Sequence, residues 1–219
     1  MNVAGGVIDP YVRPGIPLTE KLGQVFAGLA DGPVASIDVE VRGDLTDFDV
    51  SVLKLAALKG FFSGGVSDQV SYVNAPLLAE QRGIEVRLVT DPVSADYRNV
   101  ITVRGTTADG RAVSVAGTLT GPKQIEKLVE IDGYDVEVPL AEHHVVFTYV
   151  DRPGIVALYG SLLGDARVNI AGMQIARSTA GGTALSVLTI DSPAPTDVLD
   201  AIRDRIEAKT LHAIDIDIE

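Results

Sequence analysis

Apolar and polar positions alternate from Val145 to Val150, then apolar residues recur at helical spacing at Ile155, Tyr159, Leu162 and Leu163. The two periods meet at Asp151-Arg152-Pro153-Gly154. Pro153 cannot donate to a sheet ladder, and Gly154 tolerates backbone angles that other residues avoid. The run predicts a strand, a tight turn and a helix. After Gly164-Asp165 a second strand is predicted over Val168 to Ser178, and a return strand over Thr183 to Asp191. Thr196 is set to cap a further helix whose buried stripe is Val198, Leu199, Ile202 and Ile206, and Leu211 to Ile218 alternates again. The order βαββαβ is a ferredoxin-like plan with both helices on one sheet face. Its open edge strands give a physical reason for two copies to pair.

The preceding part mixes the same two periods. A helix is predicted from Leu18 to Asp31, capped by Thr19, with Leu22, Val25, Phe26 and Leu29 on one face. Val34 to Val41 reads as a half-solvated strand, with Ala35, Ile37, Val39 and Val41 inward and Ser36, Asp38 and Glu40 outward. Helices are predicted over Phe48 to Phe62 and from Asn74, as N-cap, to Gly83. Strands are predicted over Glu85 to Thr90, Asn99 to Thr107 and Arg111 to Leu119, with Asp109-Gly110 marking a hairpin. Residues 1–17 are rich in Gly and Pro and read as a linker. The fold class is therefore α+β, in two domains, 18–140 and 141–219.

Composition narrows the function. The chain has 219 residues, enough for two domains, and 46% of them are apolar. A net charge of −12 argues against nucleic acid, because no basic face can match phosphates. Cysteine is absent, which excludes thiol nucleophiles, disulfides and Cys-based metal sites, and His143 and His144 lack the neighbours a metal site needs. No apolar run approaches the roughly 20 residues that cross a bilayer, and no signal pattern opens the chain. The expectation is a cytoplasmic protein with no membrane partner. No Gly-x-Gly-x-x-Gly follows a strand, so no dinucleotide cofactor is expected in this chain and no catalytic residue is assigned.

The corner at Asp151 carries the candidate chemistry. The first N–H groups of a helix lack internal partners and suit a carboxylate. Asp151 beside them suits an ammonium group, and Asn169, just past the helix, both donates and accepts. Together these fit a free amino acid. On the residues alone, the plainer reading is favoured: Asp151 caps the helix and Asn169 starts a strand.

The string Tyr149-Val150-Asp151-Arg152-Pro153-Gly154-Ile155, with Val168-Asn169-Ile170-Ala171, resembles the start of an ACT domain. More closely it is similar to the regulatory end of long-type D-3-phosphoglycerate dehydrogenases, and Ser71 to Ala79 resembles the intervening domain of the same family. The resemblance implies an intervening domain followed by an ACT domain, without the catalytic half that uses NAD. It implies feedback inhibition by L-serine bound between ACT domains of two subunits, in a homodimer or tetramer. Carried over residue by residue, Tyr149, Asp151 and Asn169 are the serine-binding side chains, and Gly154 and Ile155 are the backbone that approaches the ligand. Some members have His and Asn where this chain has Tyr149 and Asp151. The family also implies an anion effector site on the intervening domain, for which Lys127 and Arg104 are the candidates, and a hinge at Gly5-Gly6. Two alternatives remain: a free-standing amino-acid sensor, and a relative of bacterial serine dehydratases. The latter need cysteines for an iron–sulfur centre, which this chain lacks.

Overall fold

In the computed structural model, which describes residues 8–64, 70–179 and 181–218, the alternating segments pair into two separate sheets. The chain divides into two compact units between Gly133 and Tyr134. The Gly5-Gly6 hinge candidate lies outside the described residues.

The first unit holds α1 (Gly15–Ala30), β1 (Val34–Gly43), α2 (Ser51–Ser63), α3 (Ala75–Gln81), β2 (Glu85–Asp91), β3 (Asn99–Thr107), β4 (Ala112–Thr120) and β5 (Ile125–Ile131). Its ladder runs β2-β1-β3-β4-β5, with β1 parallel to β2 and the other pairs antiparallel. Ile37, Val39 and Val41 line up across β1 and β3 with Gly105, Val103 and Ile101, and all except the glycine are buried apolar residues. The helix α1 packs on α2 and on β3 and β4. Its contact with α2 is close because two glycines face backbone: a Cβ on Gly23 would stand 2.2 Å from the Ala57 carbonyl oxygen, and one on Gly60 would stand 1.8 Å from that of Glu20.

Several predicted details change. Thr19 is not a cap. It is buried inside α1 and its hydroxyl donates to the Gly15 carbonyl at 2.6 Å. Asn74 is the N-cap residue of α3 as read, but its side chain makes no capping bond and accepts from the Ser71 N–H at 2.7 Å instead. A bulge between Val34 and Ser36 turns Ala35 outward. Glu40, expected in water, is buried because Arg42 and Arg104 each reach it at 3.1 Å. The strand β5 has no counterpart in the sequence reading. The ladder slips between Ala116 and Gly117, so Leu128 and Val129 are both buried and strict alternation is lost.

The second unit holds β6 (Tyr134–Pro139), β7 (His143–Val150), α4 (Ile155–Asp165), β8 (Ile170–Arg177), β9 (Thr183–Ile190), α5 (Thr196–Ile206) and β10 (Thr210–Asp215). From β7 on this is βαββαβ, and its sheet order β10-β7-β9-β8 is antiparallel throughout. That order, fourth-first-third-second, is the ferredoxin-like arrangement. Phe147, Tyr149, Ile155, Tyr159, Leu163, Leu188, Ile202 and Ile206 form one core between the sheet and the two helices. The cap of α5 is Pro195 rather than Thr196, and no side chain closes it. The Glu137 N–H of β6 donates to the Gln174 side-chain oxygen of β8 at 2.7 Å. Among the described residues no helix is long and apolar enough to cross a membrane.

His144 makes this unit acid-sensitive. Its Nε2 accepts from the Ala141 N–H at 3.0 Å, while Nδ1 is buried without a hydrogen-bond partner. Burial pushes its pKa from 6.5 down to about 4, and the nearby Leu188 backbone offsets part of that shift. The unfolded chain therefore binds the extra proton between those two values. The contribution of His144 to stability falls as pH drops through that window and is constant above it. The loss amounts to about 1 kcal/mol by pH 5.5. Urea unfolding at pH 7.5 and 5.5 checks it, and H144Q, which keeps an acceptor for Ala141, should flatten the fall.

Candidate functional site

The site begins where β7 ends. The Asp151 N–H donates to the Gly182 carbonyl at 2.8 Å, which ties the corner to the hairpin between β8 and β9. The Asp151 carboxylate does not cap α4. Gly154 is the capping residue, at φ +91°, and no side chain bonds the free N–H groups of the helix. A residue with a Cβ would be strained at that φ, and a Cβ there would meet nothing within 4 Å. The constraint is therefore conformational, and the backbone in front of α4 is open. Ile155 follows with its side chain in the core, 2% exposed, so only its backbone can face a ligand.

Asp151 pairs instead with Arg177, the last residue of β8, at 3.2 Å between Oδ2 and Nε. The carboxylate side chain is 16% exposed and the arginine 57%. Arg152 and Lys209 border the same corner but face Glu207 at 3.5 Å and the Thr183 hydroxyl at 2.8 Å. The pattern of the sequence does not single out Arg177. The register does, because Arg177 pairs with Ala184 and Ala184 pairs with Tyr149, two residues before Asp151.

Tyr149 lies behind this corner. It is 1% exposed, and its hydroxyl shares a hydrogen bond with Ser186 at 3.1 Å. The neighbouring Tyr159 donates to the Met173 sulfur at 2.9 Å, and burial pushes its pKa up to about 12. Tyr149 thus forms part of the buried floor of the corner.

Asn169 lies elsewhere. In the ladder Val150 pairs with Thr183, and Ile170 pairs with Ile190, at the other end of β9. Seven residue steps at about 3.3 Å each separate the two ends by about 23 Å. The exposed Asn169 side chain therefore stands far from Asp151 of the same chain, while its backbone is fixed by two bonds with Asp191, at 3.0 and 3.1 Å. The strand that carries Asn169 and Arg177 at its two ends, β8, is the last of its sheet, with β9 as its ladder partner.

Comparison with known proteins places the first unit. Residues 10–132 match the model of the D-3-phosphoglycerate dehydrogenase intervening domain. The chain belongs to that family. It is 39% identical over 216 residues to D-3-phosphoglycerate dehydrogenase of Mycobacterium leprae, covering 99% of this chain and 41% of that protein. The enzyme of the same name from Synechocystis is 34% identical over 205 residues, covering 92% of this chain and 37% of that protein. That of Methanocaldococcus jannaschii is 28% identical over 211 residues, covering 96% and 39%. The chain thus spans about two fifths of the length of these relatives.

Within this intervening domain the two cations expected to hold an anion stand apart. Arg104 pairs with Ser114 on β4, and Lys127 pairs with Thr118. Four steps along β4 and two strand spacings separate their backbones by about 16 Å. Arg104 is also matched by Glu40 at 3.1 Å and by Asp38 at 4.0 Å. It borders an open cleft of about 420 Å³ with Arg87, Asp38, Ser114 and Asp132. The side chain of Asp38 is held by Arg87 at 2.8 and 3.1 Å. Burial raises the Asp132 pKa. Among the described residues no cluster of His, Asp and Glu could hold a metal ion.

Proposed function

We propose that this chain is the regulatory portion of a D-3-phosphoglycerate dehydrogenase of L-serine biosynthesis, and that its second unit is an ACT domain that binds L-serine between two copies. One observation carries this reading. Asp151 and Asn169 lie at opposite ends of a sheet in which, among the described residues, strand β8 has no strand paired on its outer side. Two copies paired edge to edge along β8, antiparallel about a two-fold axis, bring the Arg177 end of one strand beside the Ile170 end of the other. Each corner then faces Asn169 of the second copy, and the site appears twice.

The chemistry follows from the parts. The open N–H groups of α4 take the ligand carboxylate. Asp151 takes the ammonium, and Asn169 of the second copy supplies a donor and an acceptor for what remains. Tyr149 stiffens the floor through Ser186. Serine bound this way favours whichever arrangement of subunits brings the two halves together, and the bias equals its difference in affinity for the arrangements. The same reading gives the first unit an anionic effector, held by Lys127 or by Arg104 singly, since the two do not converge.

NAD and the oxidation of D-3-phosphoglycerate belong, on this reading, to a part of the enzyme outside the chain. The glycine fingerprint that holds a dinucleotide is absent from these 219 residues.

Calorimetric titration against a panel of amino acids tests the reading. L-Serine should bind saturably and raise the melting temperature of the second unit, because it binds the folded state alone. A folded, dimeric protein that gives no heat with serine contradicts it.

A further inference from the structure

We propose that Arg177 is an internal competitor for the ligand: its guanidinium occupies, at Asp151, the position that the ammonium of the amino acid must take. This inference rests on the serine reading above and adds a residue that sets the affinity of that site. The carboxylate is fixed in place, since Asp151 closes β7 and its N–H is held by Gly182 at 2.8 Å. The arginine backbone is fixed as well. Arg177 ends the β8 ladder opposite Ala184, and the hairpin beyond it closes through Ser178 N–H to Thr183 carbonyl at 3.2 Å. What can move is the side chain, a long stem that is 57% exposed and meets the carboxylate by one contact at 3.2 Å.

An ammonium and a guanidinium seek the same carboxylate oxygens. With 16% of its side chain exposed, Asp151 has little free surface on which to hold both. A ligand that arrives must displace the arginine, and it gains only the difference between the two pairings. The other nearby cations, Arg152 and Lys209, have partners of their own at Glu207 and Thr183, so neither stands in for Arg177. The competition also acts differently on different ligands. A molecule with a carboxylate and no amino group leaves the arginine on Asp151, so it incurs no displacement cost and gains no ammonium pairing; the arginine therefore narrows the margin by which the site favours an amino acid.

Exposed ion pairs of this kind change an equilibrium constant by up to about fivefold. R177Q should therefore bind L-serine about threefold tighter than the natural chain, by calorimetric titration on protein shown to be folded by circular dichroism. R177K, which keeps the cation, should stay within about a factor of two of the natural chain. If R177Q binds with equal or weaker affinity while the natural chain binds serine, the competitor is ruled out and the serine site stands. If none of the three folded proteins binds serine, the serine reading fails and the inference falls with it.

Discussion

Asp151→Asn is expected to weaken L-serine binding about tenfold while leaving the fold intact. The Asp151 carboxylate is the group placed to match the ammonium, and a hydrogen bond to a charged partner contributes about 2 kcal/mol. Displacing Arg177 offsets about 0.6 kcal/mol of that, and the remainder corresponds to a factor of about ten in the dissociation constant. The cost to folding is small by comparison. The side chain does not cap α4, the backbone bond from Asp151 to Gly182 remains, and the arginine of the ion pair that is lost is 57% exposed. Such pairs contribute less than about 1 kcal/mol. Calorimetric titration and urea unfolding of the same preparation separate the two effects. If D151N unfolds the second unit, Asp151 is a structural residue and the ligand reading loses its anchor.

Gly60→Ala is expected to destabilise the first unit by about 3 kcal/mol. Helix propensity alone favours Ala by about 1 kcal/mol. Sterics reverse the sign, because the new Cβ would stand 1.8 Å from the Glu20 carbonyl oxygen and 3.2 Å from the Gln24 nitrogen. Both are backbone atoms of α1, and no rotamer change relieves the clash. The helices must separate along their contact, which also strains the opposite close approach at Gly23. Gly64→Ala is the control, since a Cβ there would meet nothing within 4 Å, and its effect should be within about 0.5 kcal/mol. Urea unfolding of the two variants reads the difference. Equal midpoints would show that α1 and α2 pack more loosely than these distances.

The corner was legible in the sequence because it is local. A period of two gives way to a period of 3.6 across Pro153-Gly154, and that switch fixes a strand, a turn and a helix start. The place of Asn169 was not legible. It follows the helix in the chain, but the return strand β8 runs parallel to β7 with β9 between them, so its start lies at the far end of the sheet. Strand direction is a property of the whole domain. The burial of Glu40 was hidden for a related reason, since one of the two arginines that cover it comes from β3, about sixty positions along the chain. Arg177 is a third case: a lone charge at a strand end looks like a solvated residue until the register brings it to Asp151. The strand β5 escaped because a bulge broke its alternation.

The relation between the two halves of the site also decides what can be learnt from pairs of variants. In the proposed two-fold dimer, each site would take Asp151 from one copy and Asn169 from the other. A chain with D151N and a chain with N169A are each defective at both sites of their own dimers. A mixed dimer is different. One of its sites carries both defects, and the other carries neither.

Mixing folded D151N and N169A chains, allowing the subunits to exchange, and titrating L-serine is thus the most direct measurement. Neither variant alone should show high-affinity binding. An equal mixture should recover about a quarter of the natural capacity, because half of the dimers are mixed and each has one intact site. A mixture that exchanges subunits yet binds no better than its two components would contradict a site shared between copies.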